Sequence, residues 1–216
     1  MTPKRRIASA AAAAWLAAAP AAPASELLPP EAATAQAEQL IAAGDVEAAV
    51  PLLERAGRNW YPDADVLLGQ LYLDGQGIER DPRRAADVLE RAASPNWMRA
   101  LHKRGHPEAQ HALATLHASG DVGDIDLRAA FRLHRAAARA GHAGSQLALA
   151  RMYAAGEGVR SDPAEAYRWA RIAAMSGDAA VRDEADPLAD ALRGQIALGL
   201  AERLDREAAR FQPEAG

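Results

Sequence analysis

The chain has 216 residues, half of them hydrophobic, with 5% aromatic side chains and a formal net charge of −4. It contains no cysteine, which excludes disulfides, thiolate metal sites, cysteine nucleophiles and a lipid anchor on cysteine. Much of the apolar content is alanine, which suits closely packed helices and suits β-sheet poorly, and an acidic chain with interspersed Arg gives no reason to expect nucleic acid or an anionic membrane surface as a partner.

Residues 1–24 read as a signal peptide. Lys4, Arg5 and Arg6 form a positive n-region, Ile7 to Ala19 an uncharged apolar stretch, and Ala22-Pro23-Ala24 the small residues a signal peptidase reads. Cleavage after Ala24 takes the net charge from −4 to −7. The expected location is periplasmic or secreted, with no stable membrane insertion after cleavage. Residues 25–33 are expected to be a disordered linker. Residues 34–62 look like a short tetratricopeptide-like (TPR-like) helix pair, carried by Leu40, Ile41, Gly44-Asp45, Ala48, Ala49, Leu52 and Leu53; Pro51 is expected to strain its second helix.

A repeat then governs the chain. Residues 64–93, 109–138 and 145–174 align without internal gaps, within units assigned to 63–105, 106–141 and 142–178. Leu68, Leu113 and Leu149 fall together, followed by the small residues Gly69, Ala114 and Ala150, and three positions later by Tyr72, His117 and Tyr153. These spacings share one face of a first helix. Gly75, Gly120 and Gly156 are positioned to end it. Asp81, Asp126 and Asp162 follow six residues later as N-caps, with Pro82 and Pro163 at the first helical position. The second helix carries Ala85, Ala130 and Ala166, then Val88, Leu133 and Trp169, the last read as packing. The first period is 45 residues and the second 36; the extra nine fall around Ser94 to Gly105 and include Pro95 and Trp97. Residues 179–211 are predicted to be C-terminal capping helices, broken at Asp186-Pro187 and at Gly194, with Ile196, Leu200 and Leu204 supporting the last.

The Leu-Gly/Ala-x-x-Tyr row, Gly75-x-Gly77-Ile78, Gly156-x-Gly158-Val159, the capping Asp and the closing Ala pairs resemble the Sel-one-like repeat (SLR), a relative of the tetratricopeptide repeat. The resemblance implies an all-α fold: an α-solenoid of stacked antiparallel helix pairs wound as a right-handed superhelix, with first helices lining a concave face. It also implies a scaffold for a protein or peptide partner rather than an enzyme, with no cofactor. Plausible clients are envelope signalling proteins or polysaccharide and cell-wall assembly machinery. By the variable positions of tetratricopeptide arrays, the partner-facing residues are Val66, Gln70, Leu73 and Asp74 in the first repeat, Glu108, His111 and Thr115 in the second, and Leu147 and Arg151 in the third. Asp63, Ala118, Ser119, Gly144, Ala154 and Ala155 complete the set.

Two other readings stand beside this one. The first is a cell-wall-directed enzyme or enzyme accessory, yet no serine sits in Gly-x-Ser-x-Gly or Ser-x-x-Lys, and there is no His-Glu-x-x-His and no phosphate-binding glycine loop. The second is a histidine-based metal or pH sensor, motivated by six histidines confined to His102–His142. His102 and His106 share i, i+4 spacing but lack a clear third ligand; His106 and His142 fall at one repeat position and look structural, and His117 stands in the tyrosine column. Trp60 and Trp97 lie in connectors, where an aromatic either packs on the adjacent helix or anchors a partner.

Overall fold

The computed structural model describes residues 28–94 and 105–214. Ten α-helices and no strand occur among them: α1 (Pro30–Ala42), α2 (Val46–Arg58), α3 (Pro62–Asp74), α4 (Pro82–Ala93), α5 (Pro107–Ser119), α6 (Leu127–Arg139), α7 (Ala143–Ala155), α8 (Pro163–Ala174), α9 (Ala179–Arg193) and α10 (Leu198–Ala208). The signal-peptide segment and the insert containing Trp97 and His102 lie outside the described residues.

Local chemistry sets the repeat boundaries. Asp81 accepts from the backbone N–H groups of Arg83 and Arg84, Asp126 from Ala129, and Asp162 from Ala164 and Glu165. Each cap satisfies donors that the first helical turn leaves unpaired. Gly75, Gly120 and Gly156 end α3, α5 and α7 at φ 67°, 78° and 75°, a left-handed conformation that costs a residue with a Cβ. One backbone bond then recurs in every copy: Asp81, Asp126 and Asp162 donate their N–H to the carbonyls of Tyr72, His117 and Tyr153 at 2.8–3.0 Å. That bond closes the interhelix loop and fixes the antiparallel pair.

Packing decides the rest. Gly69 sits where an added Cβ would lie 2.7 Å from Leu89, so its lack of a side chain lets α3 and α4 approach. Ala114 and Ala150 fill the same column, fully buried. Trp169 is core, 3% exposed, and stands edge-on to Phe211. Neighbouring helices pack in sequence from α1 to α9, α3 also touches α5, and α7 touches α9.

Two expectations are corrected here, and a third position, Pro51, is accommodated within its helix. Helix α1 begins at Pro30, inside the expected linker 25–33, because Ala33 and Ala37 are fully buried where α1 packs on α2. Proline at the first helical position leaves no bond unmade. Helix α2 continues through Pro51, whose ring is exposed while Leu52 and Leu53 hold the helix to the core. Helix α9 also runs unbroken through Pro187 and stops only before Gly194. Pro187 is solvent-facing, and Ala185, Ala189 and Leu192 seat the opposite stripe.

The C-terminal end departs from simple stacking. Helix α10 folds back onto α8. Asp205 on α10 accepts from Tyr167 Oη at 2.7 Å, Arg171 Nε at 2.9 Å and Arg193 Nη1 at 3.0 Å. The tail then crosses the array: Phe211 meets Trp169, Pro213 lies against Gly141, and the Glu214 N–H donates to the Arg139 carbonyl at 2.8 Å.

Candidate functional site

The first helices carry the candidate partner face. Gln70, Asp74, Glu108, Thr115 and Arg151 are exposed on α3, α5 and α7, as are Asp63, Ser119 and Ala155. Leu73 is half-buried against the core. Val66 and Leu147 are buried, 8% and 5% exposed, and cannot form part of an open surface. The reason is helical geometry: each stands three residues before the small residue of its repeat and so shares the packed face. Several exposed members are tied to neighbours. Arg151 pairs with Glu184 on α9, and His106 bridges Asp63 at 3.0 Å and Glu108 at 3.1 Å. Trp60, in the α2–α3 connector, is 62% exposed at φ 62°.

His111, assigned with them to the partner face, belongs elsewhere. It is half-buried, in a cluster with the buried His134 of α6 and Ser145 of α7 and the half-buried His142, the N-cap residue of α7. The Ser145 hydroxyl is 2.9 Å from His111 Nδ1 and 3.2 Å from His134 Nδ1. With a single proton, it donates to one ring and accepts from the other. The Ser145 N–H donates to His142 Nδ1 at 3.1 Å and caps α7. The His111 and His142 rings stack with centroids 4.3 Å apart, and His134 stands 5.3 Å from His111. Gly144 makes room: a Cβ there would lie 3.2 Å from both stacked rings. Burial, and then the neighbouring imidazole, push His111 and His134 down to about 4; burial also lowers His142. The cluster is therefore neutral at pH 7. Its inward nitrogens are spent on Ser145, and no group of three or more metal-ligating side chains is assembled among the described residues.

Sequence reasoning missed His134 and Ser145. The signal was present in the repeat columns. His111 aligns with Val66 and Leu147, His134 with Leu89 and Ala170, and Ser145 with Ala64 and Ala109. Three polar residues stand together in otherwise apolar columns.

A second buried polar column is structural. Gln110 and Gln146 donate to the carbonyls of Ala93 and Ala138, closing the ends of α4 and α6. The equivalent Asp65 is 2% exposed and pairs with Arg91 at 2.6 Å. Burial raises its carboxyl despite that partner.

The Sel1 repeat matches residues 62–94, 107–142 and 143–178. This is a Sel1 repeat protein. Its fold is similar to the crystal structure of a Sel1 repeat protein from Oxalobacter formigenes, with a TM-score of 0.65 at 22% identity over 88% of this chain and 75% of that one. It is also similar to c5321, a protective antigen of uropathogenic Escherichia coli strains with an SLR fold, with a TM-score of 0.50 at 19% identity. That match covers 85% of this chain but 46% of the antigen. No curated protein matches the sequence. The Sel1 array is an all-α solenoid, a scaffold architecture of the kind that commonly mediates protein interaction, and among the described residues no helix is long and apolar enough to cross a membrane.

Proposed function

We propose that this chain is an exported Sel1 repeat scaffold that binds a protein or peptide through the inner face of α3, α5 and α7, in the service of envelope signalling or of polysaccharide or cell-wall assembly. One observation carries the binding reading: Gln70, Asp74, Thr115 and Arg151 recur on successive first helices with their side chains exposed. Repeat arrays use such a face because packing consumes only one stripe of each helix and leaves the other free to vary. Export rests on the basic and apolar pattern of residues 1–24 alone.

Capture from an envelope extract tests this, with the full mature chain as bait and Gln70→Ala/Asp74→Ala/Thr115→Ala/Arg151→Ala as control. All four side chains are exposed, so the control is expected to remain folded. A partner retained by the wild type and lost by the control supports the reading. Equal capture by both would move the site off the inner face. Processing of the precursor after Ala24, read by N-terminal sequencing, tests export.

A further inference from the structure

We propose that the junction between the second and third repeats is an acid-sensitive joint, in which protonation of the His111–His134–His142 cluster loosens the start of α7 from α5 and α6. This is independent of which partner the inner face binds.

The cluster sits on one side of the contact between α7 and the α5–α6 pair. On the other side Ala114, Ala130, Phe131 and Ala138 join Leu149, Ala150 and Met152 of α7 in one apolar cluster, while Leu113 and Leu116 of α5 belong to the cluster of the preceding helices. Leu133 packs against both. One repeat earlier, the positions equivalent to His111, His134 and Ser145 are Val66, Leu89 and Ala109, all buried and apolar. At the second junction that apolar contact is replaced by imidazoles around one hydroxyl.

The bond to His142, and whichever Ser145 bond has the hydroxyl as donor, hold only while those rings are neutral. Protonated histidine has two donors and no acceptor. His142 would then lose its acceptance from the Ser145 N–H, and α7 its cap. Ser145 would have to turn its hydroxyl proton away from whichever ring it now serves. Cations on His111 and His142, whose rings stack 4.3 Å apart, would repel across a half-buried gap. Among the charged groups around the cluster, Glu108 of α5 favours charge on His111 and His142, Asp178 of the turn before α9 favours it on His142, and His106 opposes it.

The sign follows from linkage. Folded-state values lie below the ordinary 6.5, so the open or unfolded chain takes up more protons. The closed junction is at full strength above that ordinary value and weakens as pH falls from there towards the folded values.

The test compares hydrogen exchange of the full chain at pH 7.5 and pH 4.5, corrected for intrinsic exchange. The companion variant carries His111→Val/His134→Leu/Ser145→Ala, which rebuilds the first junction's chemistry, and His142→Asn, which keeps a non-titrating cap. The wild type is expected to lose at least tenfold protection in α7 at pH 4.5 while α2 changes little, and the variant to keep α7 protected. An equal loss in both proteins, or none in the wild type, overturns the proposal. Should the variant fail to fold, imidazole titration of the wild type by NMR decides. Depressed titrations accompanied by shifts of α7 amides support the joint; titration near 6.5 without them overturns it.

Discussion

The junction between the first and second repeats and the junction between the second and third occupy the same columns of the array. Val66, Leu89 and Ala109 fill the first with apolar contact; His111, His134 and Ser145 fill the second with a hydrogen-bonded polar cluster. The backbone barely registers the difference. Both junctions have the capping Asp, the left-handed Gly and the loop-closing bond to the Tyr or His carbonyl. Boundary chemistry therefore sets the shape of a repeat, and column chemistry sets how firmly it holds the next. In an array whose stability is a sum of repeats and nearest-neighbour contacts, one polar junction makes a local weak link without altering the fold.

The largest effect is expected from moving the second junction's chemistry into the first. Leu89→His places a lone imidazole, without a hydroxyl partner, where a fully buried Leu stood, and should cost about 4 kcal/mol in urea unfolding at pH 7.5. A cost below about 1 kcal/mol would erase the distinction between the junctions. Next is Gly69→Leu, which drives a side chain into Leu89 and should cost about 1–3 kcal/mol, whereas the equivalent Ala114 and Ala150 already tolerate a Cβ. Asp205→Asn should cost about 1 kcal/mol above pH 5, allowing for partial exposure. Burial raises the Asp205 carboxyl, but hydrogen bonds from Tyr167, Arg193 and Arg171 outweigh it and leave the value lowered. Its contribution is thus full above the unfolded value of about 3.9 and is lost as pH falls through the folded one. A pH series of wild type and variant should show that loss in strong acid only, distinct from histidine-linked weakening that begins near 6.5. Asp162→Ala, a lost cap, should lower stability by about 1 kcal/mol at any neutral pH, and an unchanged midpoint would argue against α8 starting there.

Features governed by nearby residues were legible in the sequence. Asp81, Asp126 and Asp162 announce helix starts and Gly75, Gly120 and Gly156 helix ends because capping and positive φ are decided within a few residues. Features governed by distant packing were not. Pro187 looked like a break because its local cost is visible and the α8 surface that holds α9 is not. Pro30 looked like linker for the same reason. Val66 and Leu147 were misplaced because their offsets were taken from related arrays, whereas here three residues before the small residue falls on the packed face. His111 went with them, and His134 escaped notice, since only a three-dimensional neighbour reveals that two imidazoles in different helices share one hydroxyl.

The returning tail has a mechanical consequence. In a plain stack, tension applied at the last helix must pass through each repeat in turn and would peel the third from the second across the polar junction. Here the Glu214 to Arg139 bond and the seat of Pro213 on Gly141 join the end of the chain to the second repeat directly. The polar junction is bridged in parallel, so load entering at the tail is shared between the strap and the helices beneath it. Cutting the strap, not pulling on it, is the way to make the third repeat swing.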